Sequence, residues 1–339
     1  MANFPYIKKI TQIILGASLI FCLGLTFGIF FAENEEVKKQ PKKSENVAKF
    51  GSSSISEKIQ YSKTSQKLMA KAEKNSNKKN NAEPIRQNLK NNLEKNDHLP
   101  TWIDNSVPVF KQPHFSYISI VLDDMGLNRK RLNEGIELGG PLTLSFLSYA
   151  PNLIKQTTIA SSKGHELLLH LPMEPLGEED PGPGALLVDM KNMQLKQRLN
   201  LALEKFPNFI GVNNHMGSRF TSNSILMEFL LSNLKERGYL FLDSVTTSRS
   251  VALNMGRRLG APVVARDIFL DDVDDEKEIK LRLAQTELIA RKTGTAIAIG
   301  HPRKATLRAL KDWMHSLEQK KIQLVPLSTV AQIRLDKIN

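Results

Sequence analysis

The segment YISIVLDDMGLN, residues 117–128, decides how the rest of the chain is interpreted. Its first six residues are almost continuously apolar, as in a parallel strand that is buried on both faces. Two adjacent carboxylates, Asp123 and Asp124, then close the strand. Seven similar apolar runs follow: LTLSFLS (142–148), ELLLHL (166–171), FIGVNN (209–214), YLFLDS (239–244), PVVARDIFL (262–270), AIAIGH (296–301) and IQLVPLS (322–328).

Stretches of helical period separate these runs. They cover residues 128–138, 151–163, 195–205, 222–237, 248–259, 274–292 and 303–319, and glycines stand where several of these helices should end. Strict alternation through eight strands predicts an α/β fold, a distorted (β/α) barrel of seven to eight parallel strands over residues 113–339. An open, doubly wound sheet is an alternative that the same pattern allows.

The residues before this domain divide into two parts by composition. Residues 13–32 carry no charge, and 20 residues at about 1.5 Å each cross a hydrocarbon core of roughly 30 Å. We predict a short cytoplasmic stub and one transmembrane anchor over residues 1–32, with a cleaved signal peptide as the alternative. Lys8 and Lys9 precede the apolar run and favour a cytoplasmic amino end. The domain would then lie outside the cytoplasm, in the periplasm.

Residues 33–112 are rich in Lys, Asn, Ser, Gln and Glu and show no sustained apolar period, which predicts a disordered linker. Sixteen Lys and Arg against ten Asp and Glu place half of the chain's net charge of +12 in this segment. A basic excess in a solvated tether does not indicate a nucleic-acid partner. The single cysteine, Cys22, lies in the apolar run, so the domain would fold without disulfides.

Polar residues stand at the carboxyl ends of the predicted strands: Asp123, Asp124, His170, Asn213, Asn214, His215, Asp243, Arg266, Asp267 and His301. Parallel strands of a barrel end at one face, where barrel enzymes place their active sites, so these residues should form one cluster. Adjacent carboxylates at the end of an apolar strand are costly unless they meet a cation. With neutral imidazoles from His170 and His215, one Asp can complete an Asp/His/His site that suits zinc and leaves a position for water.

The segments SIVLDDMGLN, ELLLHLPMEP, GVNNHMGSRFT, LFLDSVTTSRSVA, ARDIFLDD and AIAIGHP, in this order over residues 119–302, resemble the divergent polysaccharide deacetylase family. Its distant relatives are carbohydrate esterases that remove acetyl groups from chitin-like glycans and peptidoglycan. The resemblance implies a distorted barrel, a general base at Asp123, a metal ligand at Asp124 and a general acid at His301.

One departure from the relatives' pattern affects the metal ligands. The better-known deacetylases take two ligands from a His-x-x-x-His pair, whereas here His170 is followed four residues later by Glu174. We therefore predict His215, from the next strand, as the third ligand, with Glu174 as an alternative carboxylate ligand.

Further polar residues are assigned to substrate binding or to support of the site. Asn213, Asn214, Ser218 and Arg219 are suited to bind glycan hydroxyls. Asp243 and Arg266 could pair to orient the histidines, and an ion pair of Arg266 with Asp267 at the barrel mouth is the alternative.

The sequence thus predicts metal-dependent deacetylation of an N-acetylated envelope polysaccharide or peptidoglycan-type glycan, with zinc as the first choice of divalent metal. The protein would be held at the inner membrane by its amino-terminal helix. A glycan-binding or envelope-assembly protein on the same barrel is the alternative, because a fold does not guarantee turnover. The second histidine of the His-x-x-x-His pair is also missing here. A metal phosphoesterase would be expected to place more basic residues around the site than Arg219 and Arg266.

Overall fold

The computed structural model describes residues 99–337 of the chain. The predicted anchor at residues 1–32 and the predicted linker up to residue 98 lie outside the described residues. Within residues 99–337, none of the helices combines the length and the apolar character that a bilayer crossing requires.

Nine strands, all paired in parallel, form one sheet. They are β1 (Ser116–Met125), β2 (Thr143–Leu147), β3 (Glu166–Met173), β4 (Gly211–Met216), β5 (Leu240–Asp243), β6 (Val263–Ala265), β7 (Ile268–Phe269), β8 (Thr295–Gly300) and β9 (Ile322–Leu324). The strand order is β6-β5-β4-β3-β2-β1-β8-β7, with β9 beside the start of β1. Only Arg266 and Asp267 connect the two edge strands, so the sheet curls round towards itself as an incomplete barrel.

The number of strands differs from the seven or eight predicted. The run PVVARDIFL is divided at Arg266 and Asp267 into two short strands on opposite edges of the sheet. The last predicted run, IQLVPLS, is a strand only as far as Leu324, because a helix begins at Leu327. Short apolar runs with no flanking turn signal do not distinguish a strand from a helix start.

Helices connect most successive strands. They are α1 (Thr101–Asp104), α2 (Arg129–Ile136), α3 (Leu153–Ser162), α4 (Asn192–Leu203), α5 (Ser224–Glu236), α6 (Ala252–Leu259), α7 (Glu276–Thr293), α8 (Lys304–Met314) and α9 (Leu327–Asp336). Asn128, Asn223 and Asp275 begin α2, α5 and α7 by accepting hydrogen bonds from free backbone N–H groups in the first turn. Gly260 and Gly294 end α6 and α7 in the left-handed conformation.

The two faces of the curled sheet bury different apolar sets. Outward residues such as Ile118, Ile120 and Leu122 pack against the surrounding helices. Inward residues form a second core with α9. Because side chains alternate along a strand, the residue two positions after an inward apolar residue also points inward, and near the rim this residue is polar. The pairs of an inward apolar residue and the polar residue two positions later are Val121 and Asp123, Leu168 and His170, Leu242 and Ser244, and Ile299 and His301. The period of the strands therefore directs these polar side chains into the barrel mouth.

Ordered structure begins before the predicted domain boundary at residue 113. Trp102 is buried in the inner core, and its backbone N–H donates to Gly238 O at 2.8 Å. Thr101 Oγ1 donates to Arg237 O at 2.7 Å, and Asn105 Nδ2 donates to Phe209 O at 2.9 Å. Residues 99–112 therefore belong to the domain. Composition does not reveal this, because the apolar residues of this short segment, Trp102 and Ile103 among them, show no sustained helical or strand period.

Trp102→Ala is expected to lower the free energy of unfolding by about 3–5 kcal/mol, the usual cost of removing a buried aromatic side chain. Phe110→Ala is the matched control, because Phe110 is 84% exposed. That control should change the free energy of unfolding by less than about 0.5 kcal/mol. Urea unfolding followed by far-UV circular dichroism measures both. Equal stability of the two variants would show that residues 99–112 do not belong to the folded unit.

Candidate metal centre

Three side chains, one each from β1, β3 and β4, converge at the barrel mouth. Asp124 Oδ1 lies 3.0 Å from His215 Nδ1 and 3.3 Å from His170 Nε2. The two imidazole nitrogens are 3.2 Å apart. Ligand atoms about 2.0–2.1 Å from a tetrahedral zinc ion are roughly 3.3 Å from one another. The spacing of these three atoms therefore matches one face of a zinc coordination sphere.

The hydrogen bonding of this cluster also fits a cation. Asp124 Oδ1 is buried and has no hydrogen-bond partner among residues 99–337, although two imidazole nitrogens lie close to it. Buried polar atoms without a partner are rare in folded proteins and often belong to ion sites. One carboxylate and two imidazoles form the nitrogen and oxygen donor set that zinc accepts. The residues present therefore fit a resident divalent metal.

A local irregularity in β1 turns both aspartates toward the site. Strand alternation would place neighbouring side chains on opposite faces. Between Leu122 and Met125, however, the pairing of β1 with β2 shifts in register. Asp124 adopts a left-handed φ of 55°, which Asp tolerates better than most residues. The bulge brings Asp124 to the same side as Asp123.

Asp123 is buried beside the cluster. Its Oδ1 accepts a hydrogen bond of 2.8 Å from Asn213 Nδ2, and its Oδ2 lies 3.7 Å from His170 Nε2. Burial raises the pKa of Asp123, although His170 and His301 oppose this effect. Burial also acts to raise the pKa of Asp124, but its two histidine neighbours outweigh this and hold the pKa well below its usual range. The two carboxyl groups thus differ in proton affinity.

The amide of Asn213 connects the base candidate to a metal ligand. Asn213 is fully buried, and its Oδ1 lies 2.9 Å from His170 Nδ1 and 2.5 Å from Ser145 Oγ. An amide oxygen only accepts hydrogen bonds, so His170 Nδ1 carries the proton and Nε2 presents its lone pair to the cluster. Asn213 has no exposed surface and contacts both Asp123 and His170, while its predicted binding of glycan hydroxyls stays a prediction.

Asn213→Ala is expected to lower zinc affinity about 10–100-fold, because second-shell partners of a ligating histidine contribute this much. Asn213→Asp still accepts the His170 Nδ1 proton but loses the donor to Asp123, so its zinc affinity should fall less than that of Asn213→Ala. Competition with a chromogenic chelator measures both dissociation constants. Zinc affinity unchanged in a folded Asn213→Ala variant would refute the orienting role.

His301 lies on the opposite side of the cluster and forms a pair with Asp271. His301 Nδ1 is 3.0 Å from Asp271 Oδ1, and His301 Nε2 is 3.7 Å from Asp124 Oδ2. Asp271 is fully buried and also accepts hydrogen bonds from the His301 backbone and Thr306 Oγ1, each at 2.7 Å. Burial alone would lower the pKa of His301, but Asp271 outweighs it and raises the pKa. Sequence reasoning gave Asp271 no role, although it closes the segment ARDIFLD.

Glu174, the alternative ligand in the sequence prediction, lies outside the cluster. Its Oε2 accepts from Val188 N at 2.6 Å, and its Oε1 is 3.3 Å from Arg219 Nη1. Ser218 Oγ accepts from Leu176 N at 2.7 Å, and Arg219 Nη2 donates to Leu176 O. These residues hold the long connection after β3 against the segment after β4. Their polar groups are engaged in this contact. Glu174 does not join the cluster of Asp124, His170 and His215, and glycan binding by Ser218 and Arg219 stays a prediction.

The remaining predicted residues stabilise the turn after β5. Asn214 Oδ1 accepts from Ser244 N at 2.9 Å, and Asp243 accepts from Val245 N and Ser250 Oγ. Arg266 donates to the carbonyl oxygens of residues 244 and 245 at 2.7 and 2.9 Å. The predicted Asp243–Arg266 ion pair is absent among the described residues. The alternative Arg266–Asp267 pair is absent there too, because Asp267 pairs with Arg334.

The chain is similar in sequence and in fold to known proteins. Residues 120–331 match the family model described as divergent polysaccharide deacetylase. The chain is 33% identical over 200 residues to the uncharacterized protein YibQ of Escherichia coli (strain K12), covering 59% of this chain and 63% of that protein, which is less than two thirds of its length. An uncharacterized protein of Haemophilus influenzae Rd is 34% identical over 215 residues, covering 63% of this chain and 76% of that protein. The crystal structure of uncharacterized protein ATU2773 from Agrobacterium tumefaciens C58 shows 28% identity and a TM-score of 0.67, covering 69% of this chain and 96% of that one.

Proposed function

Because the chain belongs to the divergent polysaccharide deacetylase family, we propose that it uses a divalent metal, with zinc as the first choice, to hydrolyse N-acetyl groups on an envelope polysaccharide or a peptidoglycan-type glycan. The observation that carries this proposal is the convergence of Asp124, His170 and His215 with two proton-transfer candidates beside them. Such a set suits amide hydrolysis, which needs an activated water and a protonated leaving amine.

Different residues of the site have different roles in the proposed reaction. A zinc ion held by the three ligands would act as a Lewis acid toward the amide carbonyl and the attacking water. Asp123 takes the proton of that water through Oδ2, while Asn213 holds Oδ1. His301, whose pKa is raised by Asp271, donates its Nε2 proton to the leaving nitrogen. The buried Asp271 also fixes the orientation of the ring.

We also propose that this domain acts in the periplasm, held at the inner membrane by a helix within residues 1–32. The apolar run at residues 13–32 and the preceding Lys8 and Lys9 support this location. A glycan-binding protein without turnover is the second candidate. The observation that favours it is that the third ligand candidate, His215, comes from β4, whereas the better-known deacetylases take two histidines from one segment.

Chelation of the metal tests the proposal directly. Treatment with a zinc chelator is expected to abolish acetate release from N-acetylated glucosamine oligomers, and stoichiometric zinc should restore it. Acetate is quantified enzymatically and zinc by elemental analysis in the same samples. Circular dichroism before and after treatment controls for unfolding. A zinc-containing, folded protein that binds the oligomers and releases no acetate would favour the glycan-binding candidate.

A further inference from the structure

A cavity of about 650 Å³ adjoins the metal centre and extends beyond it. Asp123, His170, His215 and His301 contribute to its wall, and so do Arg266 and Arg282. The volume lies within the range of pockets that hold small molecules. The reacting group and a neighbouring part of the substrate therefore share one cavity.

The two arginines of this cavity have no acidic partner. Arg266 donates to two backbone carbonyl oxygens, and its guanidinium carbon lies 4.9 Å from the centre of the Phe269 ring. Arg282 donates to the neutral amide oxygen of Gln285 at 3.1 Å. Among residues 99–337, no carboxylate oxygen lies within 4.0 Å of either guanidinium.

The carboxylates that line the same cavity make no direct contact with either arginine among the described residues. Asp267 is paired with Arg334, and Asp123 faces Asn213 and His170. Asp272 lines the cavity as an exposed side chain and forms no ion pair among the described residues. Arginine stays protonated at every physiological pH. Asp123, Asp243, Asp267 and Asp272 act on the charge of Arg266 from a distance, and neither guanidinium has a carboxylate of the described residues in direct contact.

We propose that the Arg266 and Arg282 side of the cavity binds a carboxylate of the glycan, so that the substrate carries an acidic group beside its N-acetyl group. This inference rests on the proposed function, which puts the N-acetyl group at the metal centre. A guanidinium matches a carboxylate with two parallel hydrogen bonds, which makes arginine the common residue for this recognition. The carboxylate could belong to a hexuronic acid or to the lactyl ether of a muramic-acid-type sugar.

Paired ligands test the inference by binding. Each carboxylated oligomer, one built from N-acetylglucosamine and glucuronic acid and one from N-acetylglucosamine and N-acetylmuramic acid, is compared with its own carboxamide derivative. Calorimetry on the zinc-loaded protein should give a dissociation constant about tenfold lower for at least one acid than for its amide, the scale of a charge-assisted hydrogen bond. The preferred acid identifies the source of the carboxylate.

Variants connect the preference to the cavity. Arg282→Gln should equalise the dissociation constants of the acid and its amide, and Arg282→Lys should restore part of the preference. Arg291→Gln, an exposed arginine on the same helix, is the matched control and should keep the full preference. Equal binding of acid and amide by the wild type, or a preference that survives Arg282→Gln and Arg266→Gln, overturns the inference. The ratio is also measured on the metal-free protein, in which no hydrolysis occurs, so its failure is separate from failure of zinc-dependent acetate release.

Discussion

Replacing Asp124 with Asn is expected to remove the metal and the hydrolytic activity together. The amide keeps the volume of the side chain and loses the negative charge that a divalent ion requires. Zinc affinity should fall more than about 100-fold, since second-shell partners alone contribute 10–100-fold. Asn tolerates a left-handed φ as Asp does, so the bulge of β1 should persist. Elemental analysis and acetate release are measured on the same preparation.

Asp312→Asn is the matched control for this substitution. Asp312 is 67% exposed and does not line the cavity, so its variant should retain zinc and activity. Cooperative unfolding of the Asp124→Asn variant at the denaturant concentration that unfolds the zinc-free wild type confirms that the fold is intact. Stoichiometric zinc in that variant would remove Asp124 from the ligand set.

Replacing Asp123 with Asn is expected to retain zinc and to lower kcat about 10²–10⁴-fold, the usual contribution of a positioned general base. The Asn oxygen still accepts from Asn213 Nδ2, so the local hydrogen bonding is preserved. The amide does not accept a proton from water. The measurement is the initial rate of acetate release at saturating oligomer, with zinc quantified in the assayed sample.

The two aspartate variants are informative as a pair. Loss of turnover with zinc retained in Asp123→Asn, and loss of both in Asp124→Asn, would assign the base and the ligand separately. Wild-type kcat in Asp123→Asn would exclude Asp123 as the base, even if the metal site is correct. Loss of zinc from both variants would indicate that the two carboxylates act as ligands together.

Sequence periodicity predicted the arrangement of the fold and the position of most site residues. Continuous apolar strands ending in polar residues were enough to place Asp123, His170 and His301 at one face, because alternation continues each inward series to the rim. Alternation alone would have turned Asp124 outward. The register shift that brings it in arises from the pairing of β1 with β2, which no local pattern of β1 encodes.

The sequence did not predict the hydrogen-bond partners of the site residues. Asn213 and Arg266 were correctly placed near the mouth, but their hydrogen-bond partners depend on the register between strands. Asp271 is the clearest omission, since a second aspartate follows it directly and the pair resembles a surface turn. Its burial and its contact with His301 come from the division of one predicted strand into β6 and β7.

The left-handed backbone at position 124 has a consequence for reading related sequences. Few residues occupy this conformation without strain: glycine, asparagine and aspartate are the main ones. Among these three, only aspartate supplies a charged ligand. A homologue with Asn or Gly at this position would keep its fold and give up its metal. This single position would therefore mark, within a set of otherwise similar chains, those that have turned from hydrolysis to another use of the same barrel.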